Sequence, residues 1–266
     1  MFEPVIKWSG SKRTQANKIL EFVPKFNTYY EPFLGGGSML YAINPEKAVC
    51  GDICTPLIGF WNCLKEEPKE LFEDYNSKWN ELQNEGYEYY YNVRSQFNDK
   101  KDPYSLFFLT RTCVNGLIRF NKNGEFNNSF HHTRKGINPQ KLKPVVNDWS
   151  KRIQNVQFIN DDYRKICEGA KEGDFVYLDP PYFNTKGRYY GTIEYDEFIK
   201  FLYTLKEKKV KYALSYDGKS ESKDYTVEIP KDLYKRHIFI ESGNSTFKKV
   251  IDKNCEKVKE SLYLSW

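Results

Sequence analysis

Apolar residues recur along this chain with two different periods, and the periods alternate. Arg13 to Val23 places Ile19, Leu20 and Val23 on one side of a helix. Thr28 to Phe33 reads as a short strand ending in glycines, Lys47 to Gly51 as a second strand, and Pro56 to Leu64 as a helix. Beyond a long middle section, Val156 to Ile159 and Asp174 to Leu178 have the character of buried strands. Tyr195 to Lys206 is amphipathic at helical spacing, Val210 to Ser215 is a strand, and Ile238–Ile240 and Leu262–Leu264 close the set. Strands alternating with helices predict an open α/β sheet, mostly parallel.

The middle breaks that rhythm. Glu66 to Asp102, rich in Glu, Lys, Tyr and Asn, predicts solvated helices, and Tyr104 to Val114 an apolar one. Leu117 to Phe126 then sets an Asn-Gly turn between extended, aromatic-bearing arms, which is a hairpin signal. Residues 55–155 are expected to be an insertion between two parts of one domain, 1–54 and 156–266.

Composition removes several classes of protein. The 266 residues are 17% aromatic, which argues against disorder, and carry no run of 18 apolar residues that could span a membrane. The start, Met1 to Lys7, has no basic segment leading into an apolar stretch, so a secretory signal is not expected. Six scattered cysteines without a Cys-x-x-Cys pair disfavour a metal site and a disulfide framework, and suit a reducing cytoplasm. The net charge of +5 is unevenly spread: Arg111 to Asn155 holds nine Lys or Arg against two acids, a net +7. A localised basic surface is the footprint of a polyanion binder.

Three strings could carry chemistry. In Asp179-Pro180-Pro181-Tyr182 an apolar strand delivers an acid, two rigid prolines and an aromatic to its carboxyl end, the edge where open α/β sheets bind ligands. A proline nitrogen cannot donate, so the Asp179 carboxylate and Pro180 carbonyl form an acceptor-only pocket suited to an amine. Tyr182 offers a face for a flat ring. An exocyclic amine on a nucleobase is a poor nucleophile, and accepting both its N–H bonds would stabilise the positive charge developing on it. The second string, Glu31 to Ser38, brings Phe33, Gly35 and Gly37 in Phe-x-Gly-x-Gly spacing to the start of a predicted helix. Asp52, at the end of the next strand, is placed to accept from ribose hydroxyls. The third, Lys7-Trp8-Ser9-Gly10-Ser11-Lys12, could form a lid over a ligand.

In this order the strings resemble the Dam-like (D12 class, alpha group) family of DNA adenine-N6 methyltransferases, from Lys7 to about Asp217. The resemblance implies a Rossmann-like methyltransferase sheet with an inserted, mostly helical recognition domain bearing a β-hairpin. It implies that Trp8, Lys12, Phe33, Gly35, Gly37 and Asp52 line an S-adenosylmethionine site. Asp162, followed directly by Tyr163, would contact the cofactor's adenine. Asp179, Pro180 and Tyr182 would hold the flipped base, with Asp179 also near the cofactor. Arg119, Asn121 and Lys122 of the hairpin, with Arg134 and Lys135, would contact double-stranded DNA. The family's first string more often reads Trp-Ala-Gly-Gly-Lys, from which Ser9 and Ser11 depart. A monomer would suffice, and the biological setting implied is a bacterial or phage-infected cell, in a restriction–modification system or as an orphan regulator.

Rivals are weaker. Cytosine-C5 methylation needs a nucleophilic Cys, usually after Pro, and no proline here precedes a cysteine. Cytosine-N4 methylation uses the same amine chemistry but usually has Ser in place of Asp179. Asp217-Gly218-Lys219-Ser220 resembles the end of a P-loop, but the first glycine it needs is Ala213. A catalytically silent DNA-binding module is opposed by intact Asp179 and Tyr182.

Overall fold

The computed structural model describes residues 2–133, 135–181, 193–219, 228–242 and 258–266. Its strands are β1 (Tyr29–Glu31), β2 (Ala48–Gly51), β3 (Val156–Ile159), β4 (Phe175–Leu178), β5 (Lys211–Lys219), β6 (Arg236–Ser242) and β7 (Val258–Leu264). Among the described residues they form one seven-stranded sheet in the order β3-β2-β1-β4-β5-β7-β6. The pairs from β3 through β5 are all parallel, and β7 is inserted antiparallel between β5 and β6.

The sheet is buried on both faces, which explains its unbroken apolar strands. Successive side chains point to opposite sides, so Phe175 and Tyr177 of β4 enter one core while Val176 and Leu178 enter the other. Likewise Leu262 and Leu264 of β7 join the first core and Tyr263 the second. The second core is closed by the short helix α8 (Tyr163–Ile166) and by α9 (Tyr195–Glu207).

Between β2 and β3 the chain builds α3 (Thr55–Glu66), α4 (Pro68–Glu85), α5 (Tyr87–Lys100), α6 (Pro103–Thr112) and α7 (Pro139–Arg152). The remaining helices, α1 (Ala16–Leu20) and α2 (Ser38–Ile43), flank β1. Buried side chains of α3 to α7 are continuous with the first core. The expectation of solvated helices over Glu66 to Asp102 is therefore corrected. Leu71, Tyr75, Leu82, Tyr90, Val93 and Phe97 form buried stripes on α4 and α5, and the charged residues occupy the other faces. The helix expected over Arg13 to Val23 shortens to α1, with turns on either side.

The expected hairpin is present in reduced form, with isolated bridges Phe120↔Phe126 and Cys113↔Phe130. Its turn is a three-residue loop, because Gly124 N–H bonds Asn121 O and Asn121 N–H bonds Glu125 O. Gly124 takes the left-handed conformation at φ +73°. Phe120, Phe126 and Phe130 are buried: Phe126 and Phe130 meet Phe97 and Tyr90 of α5, and Phe120 packs on Phe126. Of the P-loop-like string, Asp217 to Lys219 continue β5 and Gly218 pairs with Glu260 of β7, while Ser220 lies outside the described residues. No described helix is long and apolar enough to cross a membrane.

Candidate active site

Strand order reverses between β1 and β4, since β2 and β3 lie to one side of β1 and β4 to the other. Loops leaving the carboxyl ends of two such strands diverge, and the crevice between them is the ligand position of doubly wound sheets. Here those loops are the glycine string after β1 and Asp179-Pro180-Pro181 after β4.

The glycine loop is tied down from below. Leu34 N–H donates to Gly51 O at 2.9 Å, and Gly35 N–H donates to Asp52 Oδ2 at 3.1 Å. The other Asp52 oxygen accepts Cys54 N–H at 3.0 Å. Burial pushes the Asp52 carboxyl up to about 6, against the backbone N–H groups that pull it down. Trp61 Nε1 donates to Gly35 O at 3.2 Å. Gly35 (φ +47°) and Gly37 (φ +64°) are left-handed, and both are crowded by indoles. A Cβ on Gly35 would stand 2.8 Å from Trp8 Cδ1, and one on Gly37 would stand 2.9 Å from Trp61 Cη2. Trp8, from the first string, thus lies directly on the second.

Phe33 is half-buried, its ring 5.4 Å from that of Tyr163. That contact brings the Asp162-Tyr163 pair beside the glycine loop. Asp162 caps α8 by accepting Arg164 N–H at 3.0 Å and pairs with the Arg164 guanidinium at 2.6 Å.

Lys12 is buried, 5% exposed, and its ammonium lies 2.8 Å from Asp179 Oδ1. The resemblance placed this lysine at the cofactor. In the fold its charge meets the acid of the Asp-Pro-Pro string, from a loop far away in sequence. Burial raises the Asp179 carboxyl to about 6, opposed by the charge and hydrogen bond of Lys12, while Glu260 raises it further. Two acids that sequence reasoning left aside complete the cluster. Glu260 Oε2 is 3.3 Å from the Lys12 ammonium. Glu31, 3% exposed at the end of β1, accepts the Tyr29 hydroxyl at 2.9 Å. Desolvation pushes its carboxyl to about 8, against the pull of the Tyr29 hydroxyl, and Asp179 adds to the rise. The Glu31-Pro32 step before the glycines was a visible signal for the second acid. Glu260 had none, because its position depends on strand pairing.

The Lys7 to Lys12 loop also reaches the hairpin. Ile118 N–H donates to Ser9 Oγ at 3.0 Å, and Gly116 (φ +61°) leaves room for Lys7, whose Cδ lies 2.6 Å from where a Cβ would stand. Ser11 Oγ bonds Ser38 Oγ at 2.8 Å. Both departures from the usual first string therefore make side-chain bonds that Ala and Gly could not.

Of the residues expected on DNA, Arg119, Lys122 and Lys135 are exposed. Asn121 holds the turn: its Oδ1 accepts Asn123 and Glu125 N–H and its amide donates to Glu125. Arg111, counted in the basic segment, is 4% exposed and adds no surface charge. Tyr182 and Arg134 lie outside the described residues. Among the described residues no group of three or more His, Cys, Asp or Glu could hold a metal ion.

Comparison with known proteins follows the same lines. The family described as "D12 class N6 adenine-specific DNA methyltransferase" matches residues 8–244. The Type II methyltransferase M.MjaIII of Methanocaldococcus jannaschii is 30% identical over 298 aligned positions, covering 98% of this chain and 96% of that protein. The Type II methyltransferase M1.LlaDCHI of Lactococcus lactis subsp. cremoris is 32% identical over 67% of this chain, and the match spans 65% of its own length. A DNA adenine methylase of Vibrio cholerae is 30% identical over 66% of this chain and 64% of its own. A glycine loop and an Asp-Pro-Pro acid facing each other across the switch point, under a family match over most of the chain, place this protein in the D12 class of N6 adenine-specific DNA methyltransferases.

Proposed function

We propose that the chain transfers a methyl group from S-adenosylmethionine to N6 of an adenine flipped out of a short duplex DNA sequence. The observation that carries this reading is the Lys12–Asp179 pair at the carboxyl end of β4, next to the glycine loop ending β1.

The residues present fit the cofactor. Gly35 to Gly37 project no side chains, and each Asp52 oxygen accepts one backbone N–H with capacity for another donor, such as a ribose hydroxyl. Trp8, Phe33 and Asp162 complete the set. When bound, S-adenosylmethionine supplies a methyl group on a positively charged sulfonium. The chain's own residues orient the acceptor. The Asp179 carboxylate and the Pro180 carbonyl accept the two N–H bonds of the adenine amine, localising its lone pair and stabilising its developing charge. Tyr182 stacks on the ring. Lys12 keeps Asp179 ionised near neutral pH despite its burial.

Flipping costs roughly a few kcal/mol. Residues 55–155 are read as the recognition insert that offsets it, with Arg119, Asn121, Lys122, Arg134 and Lys135 on phosphates or base edges. Two relatives carry Type II methyltransferase names, which favours a modification enzyme of a restriction–modification system. A single chain carries one proposed site and one proposed recognition insert, so a cytoplasmic monomer is the reading adopted. Expression in a host lacking adenine methylation, followed by sequencing of modified bases, tests this. A methylated adenine within one short sequence is expected. Unmodified DNA from folded protein overturns the reading.

A further inference from the structure

β7 runs antiparallel to β5, so its first residues emerge at the edge where β4 and β5 end. Glu260, Leu262 and Leu264 alternate onto one face of β7. The two leucines enter the first core, and Glu260 continues their row up to the ligand edge. An acid on an otherwise apolar row, with its side chain 16% exposed, carries a desolvation cost that a purely structural position would avoid. Its partner is Lys12, whose ammonium stands between Asp179 at 2.8 Å and Glu260 at 3.3 Å. Glu260 Oε2 makes no hydrogen bond to a described residue, so its contact with Lys12 is an ion pair at 3.3 Å without a formed hydrogen bond.

From this geometry we propose that Glu260 is a positioning residue for methyl transfer: by sharing the Lys12 ammonium it keeps Asp179 from closing into a one-to-one ion pair. The inference rests on the reading of Asp179 as the acceptor of the adenine amine. The charge balance supports it. Lys12 from the N-terminal loop, Glu260 from β7, Glu31 from β1 and Tyr177 from β4 all act on or with Asp179. Glu31 is held protonated at neutral pH by burial. Among the described residues one cation, Lys12, therefore faces two carboxylates, Asp179 and Glu260. A fully committed Lys12 would drain electron density from Asp179 and weaken it as an acceptor.

The test is the pH profile of single-turnover methyl transfer for the wild type, E260Q and E260D, with melting temperature and cofactor affinity measured on each. E260Q keeps the size and an acceptor oxygen but removes the charge. Its plateau rate is expected to fall roughly tenfold with KM for cofactor and DNA little changed. Its acid limb is expected to move to lower pH, because loss of the second carboxylate and full pairing with Lys12 both favour ionised Asp179. E260D, which keeps the charge, is expected to restore the plateau rate to within a few-fold of wild type. A folded E260Q with the wild-type acid limb overturns the proposal, as does a rate loss explained by KM or by melting. A folded E260D that behaves like E260Q overturns it too. D179A separates the two readings: a nearly active D179A removes the acceptor reading itself. An inactive D179A beside an unshifted E260Q removes only the role of Glu260.

Discussion

Trp8 lies across Gly35 so closely that a methyl group on that glycine would stand 2.8 Å from the indole Cδ1. The contact joins the first and second sequence strings into one wall of the crevice proposed to hold the cofactor. Gly35 also sits at φ +47°, where an L side chain costs roughly 1–2 kcal/mol. G35A is therefore expected to displace Trp8 and weaken cofactor binding at least about tenfold, with a smaller loss toward DNA passed through the adjacent Ser9–Ile118 bond. Calorimetric titration with cofactor and a DNA retention assay on the same preparation check both halves.

Asp52 accepts the backbone N–H of Gly35 and of Cys54 with separate oxygens. In D52N one of those oxygens becomes an NH2 group facing a donor. Leaving one N–H unsatisfied costs about 1–3 kcal/mol, so D52N should melt lower than wild type and bind cofactor more weakly. Thermal melting with and without cofactor separates the loss of loop support from the loss of ligand contact.

Much of this site was legible because its parts are local. The β1 and β4 strands are short apolar runs, and the motifs follow them within a few residues. What stayed hidden depends on pairing between distant segments. Glu260 looks like one more acid in a charged stretch until β7 is known to run antiparallel beside β5. The resemblance singles out Lys12 for the cofactor, but its pairing with Asp179 shows only once the fold sets the two together. α7 carries Pro144 inside it and drew no expectation as a helix, since a proline there normally ends one. The buried stripes of α4 and α5 were masked by tyrosines, which read as polar in a charged context yet are fully buried at Tyr75 and Tyr90.

The Ser9–Ile118 bond ties the Lys7 to Lys12 loop to the base of the hairpin. A hydrogen bond of this kind is worth about 0.5–1.5 kcal/mol net, or roughly two- to tenfold in an equilibrium constant. S9A, which restores the more usual family residue, should weaken DNA binding by that factor without changing cofactor affinity. Equal losses toward both ligands would place Ser9 in loop stability instead.

The buried carboxyls predict the pH dependence of the unliganded protein. Glu31 titrates at about 8 when folded against 4.5 when exposed, so the folded state holds this proton more tightly. Its stabilising contribution is full below the unfolded value and is lost as pH rises through 8. Asp52 and Asp179, both raised to about 6, act in the same direction over a lower window. Melting temperature should rise as pH falls from about 8 to about 5, and E31Q should flatten the upper part of that slope. A melting temperature that falls over this range would contradict the assignment.

The most direct test of the central claim is mass spectrometry of nucleosides from duplex DNA incubated with purified protein and S-adenosylmethionine, with D179A in parallel. Wild-type protein is expected to yield N6-methyl-2′-deoxyadenosine, and folded D179A at least about a hundredfold less of it. N4-methyl-2′-deoxycytidine, no methylated nucleoside, or near wild-type product from D179A would overturn the assignment of Asp179 and of the adenine amine.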